Sequence, residues 1–127
     1  MYKSMICDIK NSKDLTNREE IQSYLINAIK LCNEKYIKFI AAPFQITAGD
    51  EWEGLLYLNA PIEELIEEYK SNLPIYIQFY TGVGIGGLSI NNLRLSVNQL
   101  DGPAFHLGRM ALKYAKNKDL SLVTIRK

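Results

Sequence analysis

A glycine turn between two apolar runs is the feature that most constrains how this chain can fold. Residues 48–52 read Ala-Gly-Asp-Glu-Trp and lie between the apolar runs 44–47 and 55–58. A Gly-Asp pair between two strand-like runs is typical of a β-hairpin turn. The sequence therefore predicts a hairpin of strands 39–47 and 52–58, with Asp50 and Glu51 at its turn. Pro43 indicates a bulge or an edge position in the first of these strands.

A third acid lies inside another apolar run near the start of the chain. Residues 5–9 read Met-Ile-Cys-Asp-Ile and predict a strand over 3–9 that contains Asp8. An acid in such a run is costly unless it is paired or binds a cation. If this strand neighbours the hairpin, Asp8, Asp50 and Glu51 converge, and their oxygens suit Mg²⁺ or Mn²⁺ carrying a nucleoside triphosphate. Phosphoryl transfer is the leading hypothesis, and an ordinary exposed hairpin turn is the alternative.

Helical periodicity predicts three helices. The first begins at Thr16, which has capping-box spacing to Glu19, and the others begin at Pro61 and Pro103. In the second helix, four glutamates indicate a solvated face rather than a metal site: Glu63, Glu64, Glu67 and Glu68. In the third helix, the residues predicted to point inward are Ala104, Leu107, Met110, Ala111 and Tyr114.

The order of elements predicts the fold class. Further strands are predicted over 75–83 and 120–125, and residues 88–100 fit a short hairpin or an ordered loop. The first six elements of the order β-α-β-β-α-β-α-β match the ferredoxin-like arrangement, in which the first strand lies beside the hairpin. The predicted fold is α+β, a mostly antiparallel sheet of about five strands with helices packed on it. Without internal repeats or linkers, residues 1–127 are expected to form one domain.

Composition narrows the classes of function. The net charge of +1 gives no field that attracts nucleic acid or an anionic membrane, so DNA binding by this chain alone is not expected. No apolar run approaches about 20 residues and the start leads into a strand, so neither a membrane span nor a signal sequence is predicted. Cys7 and Cys32 are typical of reduced core cysteines in a cytoplasmic protein.

Two loop segments are candidate nucleotide contacts, each with a plain structural alternative. Ser12 and the backbone amides of Asn11 and Lys13 lie between a strand and a helix, where phosphates commonly bind. A solvated turn is the alternative. The glycine run 82–87 fits neither GxGxxG followed by a helix nor the Walker pattern. It indicates a strand bend, or a close approach of base and ribose to the backbone.

The hairpin turn also carries a family likeness. Gly49-Asp50-Glu51-Trp52 resembles the signature turn of the diguanylate cyclase (GGDEF) domain, and Asp8-Ile9 followed by a helix and that hairpin is similar to class III nucleotide cyclases and to the palm of CRISPR polymerases. A more specific resemblance, over nearly the whole chain, is to the SatD family. It is carried by the following residues: 8–12, Arg18 with Gln22, 49–56, 84–86, and 101–106 followed by Arg109. Trp52 and Glu53 stand where that family tends to have Phe and Gln.

The resemblance implies roles for the acids. By analogy with palm cyclases, Asp8 and Asp50, helped by the backbone carbonyl of Ile9, would hold one or two Mg²⁺ or Mn²⁺ ions. Glu51 would be a further ligand or would help to activate the attacking 3′-hydroxyl. Two such ions about 4 Å apart stabilise the entering and leaving oxygens of an in-line attack. Gly49 would contact the nucleotide from the turn.

The resemblance also implies contacts at the start of the third helix. Asp101, His106 and Arg109 cluster there and would contact nucleotide, with Arg109 favoured as a phosphate contact because its guanidinium matches phosphate oxygens. The alternative is structural, since Asp101-Gly102-Pro103 is a good helix start without any ligand.

The function implied is that of a Mg²⁺-dependent nucleotidyltransferase or cyclase that makes a cyclic mono- or dinucleotide from nucleoside triphosphates. Palm cyclases usually need two subunits, which implies a homodimer. The similarity to minimal CRISPR polymerases implies a role in anti-phage signalling. The alternative is a catalytically silent palm module that senses a nucleotide or docks on a partner.

Overall fold

A computed structural model describes residues 1–90 and 92–127. Within these residues the chain forms five strands and three α-helices, in the order that the sequence predicts. Their bounds are β1 Tyr2–Ile9, α1 Arg18–Lys35, β2 Ile40–Ala48, β3 Glu51–Tyr57, α2 Ile62–Asn72, β4 Phe79–Gly86, α3 Pro103–Lys118 and β5 Leu122–Arg126. The predicted α+β, ferredoxin-like class is therefore confirmed.

The strands form one sheet in the order β2-β3-β1-β4-β5. Every pairing is antiparallel except that of β4 with β5, which is parallel. The central strand β1 lies beside the hairpin, and Asp8 faces Glu51 on one side and Tyr80 on the other. At the edge of the sheet, the pairing of β2 with β3 shifts register around the exposed Pro43. The predicted edge position and bulge are confirmed.

Different helices cover the two faces of the sheet. Side chains alternate along β1, so successive residues of this strand point to opposite faces. Met5 and Cys7 belong to the larger core, which also contains buried residues of α1 and α2. Ser4 points the other way, and its hydroxyl donates a hydrogen bond to the carbonyl of Ala104 in α3 at 2.6 Å. Asp8 lies in the same alternation as Ser4 and Ile6, so it is on the α3 face.

Glycines allow α3 to pack against the backbone of β4. A Cβ atom on Gly84 would lie 2.1 Å from the backbone nitrogen of Gly108, and one on Gly82 would lie 2.3 Å from that of Leu112. Gly108 in turn would place a Cβ atom 2.2 Å from the Ser4 hydroxyl. These glycines of the run 82–87 therefore serve helix packing. The sequence instead indicated a bend in the strand or a close approach of base and ribose to its backbone, and neither explains Gly82 and Gly84.

Small residues also explain one wrong prediction about α3. Met110 and Tyr114, predicted to point inward, are 57% and 50% exposed. The buried face is formed by Ala104, Phe105, Gly108, Ala111, Leu112 and Ala115. Because the helix packs so close to the sheet, small side chains occupy much of the inward face and the larger Met110 and Tyr114 are left on the outer side.

The strand predicted over 75–83 begins later, at Phe79. The amide of Ile77 donates to the carbonyl of Pro74 at 2.9 Å, which closes a turn and leaves Ile75 fully exposed. Pro74 thus starts a turn where β-branched and aromatic residues had indicated a strand.

Helix α1 begins at Arg18, so the capping box predicted for Thr16 and Glu19 is wrong. The side chain of Asn17, the residue before the helix, instead donates to the Tyr76 hydroxyl at 2.7 Å.

The segment 88–100 is an ordered loop rather than a hairpin in its described part, and Asn91 lies outside the described residues. A short 3₁₀ turn over Val97–Gln99 is capped by Ser96, and Ile90 bridges to Asp101. This loop packs Val97 and Leu100 into a second, smaller apolar cluster. None of the helices found in residues 1–90 and 92–127 has the length and apolar character that crossing a bilayer requires.

Candidate active site

The hairpin turn and the end of β1 bring three acids to one end of the sheet. The antiparallel register places Asp8 opposite Glu51, and the amide of Ile9 donates to the carbonyl of Asp50 at 3.2 Å. The three side chains are only 12–17% exposed. The turn itself depends on Gly49, whose φ of +56° favours glycine and whose missing Cβ would meet no atom within 4 Å. The structure therefore brings the three residues to the same end of the sheet, where the Asp50 carboxylate pairs with α1 and those of Asp8 and Glu51 pair with α3.

Each of these acids has one basic partner from a helix. Arg18, at the start of α1, donates to Asp50 at 2.9 Å, and Lys116, in α3, donates to Asp8 at 2.5 Å. Arg109, also in α3, donates to Glu51. The three cationic side chains are about half exposed, between 46% and 55%. Ion pairs that involve such exposed cations are weak and can exchange partners.

The oxygens at this end of the sheet have the chemistry of a divalent-cation site. Asp8 and Asp50 supply carboxylates, and the backbone of Ile9 lies next to Asp50. Hard oxygen donors of this kind suit Mg²⁺ and Mn²⁺. In the described part of the chain, no three His, Cys, Asp or Glu side chains are arranged so that they could hold a metal ion together. A cation here would therefore depend on main-chain oxygen, water or nucleotide oxygens in addition to the carboxylates.

A groove runs from these acids along α3. It consists of three adjoining depressions of about 420, 350 and 470 Å³, of which the first two share Lys116 and the last two share Arg109. Asp8 borders the first depression and Glu51 the second. The spacing of Arg109, Lys113 and Lys116 on one helix face produces a basic wall opposite the acids. Such a groove suits an anionic, elongated ligand.

The loop after β1 forms the outer end of the groove. Asn11 has a left-handed backbone with φ of 53°, and a 3₁₀ turn over Ser12–Asp14 follows it. In the described part of the chain, the amides of Asn11, Ser12 and Lys13 donate to no backbone carbonyl, while those of Asp14 and Leu15 close the turn. Successive amides in such a turn form an anion-binding concavity. All three predicted loop residues line the first depression.

The cluster predicted at the start of α3 is only partly in the groove. Asp101 accepts hydrogen bonds from the Gly102 amide at 2.8 Å and from His106 at 2.9 Å. The hydrogen bond with His106 lowers the pKa of Asp101. Asp101 therefore organises the helix start, as in the structural alternative, and lines none of the three depressions. His106 and Arg109 do line the groove.

Among the groove residues that sequence reasoning missed, Lys116 and Glu53 contribute the charges closest to the acids. Lys116 follows Arg109 by seven positions, which places both on one face of α3, and that spacing was available in the sequence. Glu53 follows Glu51 on the same face of β3, and its side chain is 9% exposed, 3.5 Å from Arg109. Burial raises the pKa of Glu53 from its ordinary 4.5 to about 7, and the nearby guanidinium of Arg109 offsets this only in part. Trp52, between the two glutamates, is fully buried in the opposite core.

Comparison with known proteins identifies the family. The model of the SatD family matches residues 2–125. The chain belongs to the SatD family. No curated protein matches this SatD chain.

Solved structures confirm a cyclase-like palm fold for this SatD chain. It is similar to the diguanylate cyclase SiaD of Pseudomonas aeruginosa, crystallised with its activator SiaC, at a TM-score of 0.65 and 11% identity, over 99% of this chain and 50% of that one. It spans half of the SiaD chain. The GGDEF domain of YfiN, or TpbB, from the same organism gives a TM-score of 0.61 and 16% identity, over 97% and 81% of the two chains. A bacterial light-regulated adenylyl cyclase gives a TM-score of 0.55 and 11% identity, over 97% of this chain and 74% of that one. At these identities the likeness concerns the fold.

Proposed function

We propose that this SatD-family palm is a divalent-metal-dependent nucleotidyltransferase or cyclase, which makes a cyclic mono- or dinucleotide from nucleoside triphosphates. The observation that carries the proposal is that Asp8 and Glu51, paired across β1 and β3, line a groove with a basic wall, with Asp50 in the adjoining hairpin turn. Phosphoryl transfer needs two components: carboxylates that bind a metal ion, and basic side chains beside them that bind the phosphates.

The acids fit the metal that the fold family implies. Asp8 and Asp50, with the carbonyl of Ile9, would hold Mg²⁺ or Mn²⁺, because they offer hard oxygens and because their present partners are exposed side chains that can move away. When bound, such an ion supplies charge stabilisation at the phosphate that is attacked.

The groove residues bind and orient the triphosphate. Lys116, once it is released from Asp8, lies within the first depression beside Lys13 and can neutralise phosphate oxygens there. Asn11, Ser12 and Lys13 line the same depression, and their amides, which donate to no backbone carbonyl of the described residues, would donate to those oxygens. Glu51, which pairs with Arg109, would be a further metal ligand or would accept the proton of the attacking 3′-hydroxyl.

The oligomeric state and the cellular location form part of the same proposal. The groove is open to solvent along α3, and a second copy of the chain, as in palm cyclases generally, would enclose the nucleotide. We therefore propose a homodimer acting in the cytoplasm. The crystallised complex of SiaD with an activator supports the idea that a palm of this shape is controlled by a partner. A role in anti-phage signalling rests on the resemblance to minimal CRISPR polymerases.

The experiment is a product screen. Purified protein is incubated with each of the four nucleoside triphosphates and with their mixtures, in Mg²⁺ or Mn²⁺, and the products are identified by mass spectrometry. We expect a cyclic product that is absent from Asp8→Ala and Asp50→Ala and present with Glu63→Ala, an exposed glutamate of α2. Unchanged turnover in Asp50→Ala would contradict the proposal.

A second candidate function is a silent module that senses nucleotide without chemistry. It is favoured by the basic partner that each acid already has, since three such ion pairs neutralise the acids without a metal ion. This candidate predicts nucleotide binding with an affinity that does not change when Mg²⁺ is removed. Calorimetry with and without EDTA separates it from the enzyme.

A further inference from the structure

The groove ends in a pocket to which the proposed phosphoryl transfer assigns no role. This pocket, the depression of about 470 Å³, is lined by Glu53, Phe105, His106, Arg109 and Met110. Glu53 follows Glu51 by two residues in β3, about 7 Å along the strand on the same face. Arg109 donates to both glutamates. The pocket is thus continuous with the acid site, at a separation that a ribose can span.

Glu53 supplies the pocket with a carboxylate that is not fully used by the protein. Its side chain is 9% exposed, and one oxygen, Oε2, lies 3.5 Å from Arg109. The other oxygen, Oε1, makes no hydrogen bond to any described residue. A carboxylate buried to this extent is costly unless its oxygens find donors. Because Oε1 has no donor from the described residues and the 3.5 Å contact from Arg109 leaves Oε2 a further lone pair, the carboxylate can accept from a ligand with two adjacent donors.

We propose that this pocket binds the purine base of the substrate, and that Glu53 selects guanine over adenine. The inference rests on the proposed function, in which a nucleoside triphosphate occupies the groove. The Watson–Crick edge of guanine presents N1–H and N2–H₂ side by side, which match the two oxygens of a carboxylate. Adenine presents one donor and one acceptor there, and its N1 lone pair is repelled by the carboxylate.

The other residues of the pocket fit the same base. Arg109, beside Glu53, can donate to the guanine O6, the acceptor next to N1. The exposed Met110 provides a polarisable thioether for the flat face of the base, and the buried Phe105 adds an apolar wall to the pocket. Donor, acceptor and apolar groups thus occur together where the base has to lie.

The test measures binding rather than turnover. GTP, ITP and ATP are titrated with Mg²⁺ at pH 8.5, above the pKa of Glu53 of about 7, into wild type, Glu53→Gln and the matched control Glu63→Gln by calorimetry. Wild type is expected to bind GTP about tenfold more tightly than ATP, and ITP, which lacks the 2-amino donor, in between. In Glu53→Gln the GTP preference should be lost and ATP should gain, because a carboxamide presents the donor and acceptor that adenine complements. Glu63→Gln should behave as wild type.

The outcomes separate this inference from the proposed function. A ratio of GTP to ATP affinity that is the same in Glu53→Gln and wild type overturns the base pocket, as does a wild type that binds all three nucleotides equally. If cyclic product still depends on Asp50, the proposed function survives either result. Guanine selectivity that depends on Glu53, in a protein that yields no product from any triphosphate, supports the pocket and overturns the enzyme. Absence of binding to all three nucleotides overturns both.

Discussion

Replacing Glu53 with glutamine should make the protein more stable at neutral and alkaline pH. In the folded chain, burial raises the pKa of this carboxyl from its ordinary 4.5 to about 7. The folded state therefore binds the proton more tightly than the unfolded state does, and the free energy of unfolding falls as pH rises from about 4.5 to about 7. This change in pKa, from 4.5 to about 7, corresponds to about 3 kcal/mol of unfolding free energy, which is fully lost above the pKa of the folded state. Glutamine does not titrate, so the variant avoids this loss.

The assay is urea denaturation of wild type and Glu53→Gln at several pH values between 5 and 8.5. The difference in unfolding free energy should move in favour of the variant by up to about 3 kcal/mol across this range. Glu63→Gln, at an exposed position of α2, is the matched control and should show no such trend. A difference between Glu53→Gln and wild type that stays constant with pH would refute the reasoning, because Glu53 would then titrate alike in both states.

Two further predictions concern the packing. Gly84→Ala should lower the free energy of unfolding by about 3 kcal/mol, because the added Cβ would lie 2.1 Å from the backbone nitrogen of Gly108 and neither backbone can give way. Gly87→Ala, which would meet no atom within 4 Å, is the control; urea curves that coincide for the two variants would contradict the packing of α3. Cys7 and Cys32 should resist a thiol reagent at pH 8 until the protein unfolds, since burial raises the pKa of both thiols, that of Cys32 to about 11. Rapid labelling of the folded protein would show that this core opens.

The parts of the fold that local sequence determines were predictable. The hairpin followed from Gly49 and its flanking runs, and the edge position of β2 followed from Pro43, because turn chemistry and a missing amide act within a few residues. From these the ferredoxin-like order brought the end of the first strand next to the hairpin turn, and the structure pairs Asp8 with Glu51 there.

The failures have a common cause in contacts between distant parts of the chain. Helical spacing predicts that Met110 points inward, but the glycines of β4 bring α3 so close that small residues occupy much of its inner face. Lys116 pairs with Asp8 across 108 positions, a partner that no local pattern indicates. The burial of Glu53 likewise depends on α3 covering the hairpin, and alternation along β3 alone did not reveal it.

The measurement that tests the central claim most directly is Mn²⁺ binding, followed by electron paramagnetic resonance in the presence of a non-hydrolysable nucleoside triphosphate. Wild type and Glu63→Ala should remove free Mn²⁺ in a saturable way that requires the nucleotide, and Asp8→Ala and Asp50→Ala should weaken this binding at least about tenfold. Equal binding by all four proteins, or no binding by wild type, would contradict the assignment of these acids as a metal–nucleotide site.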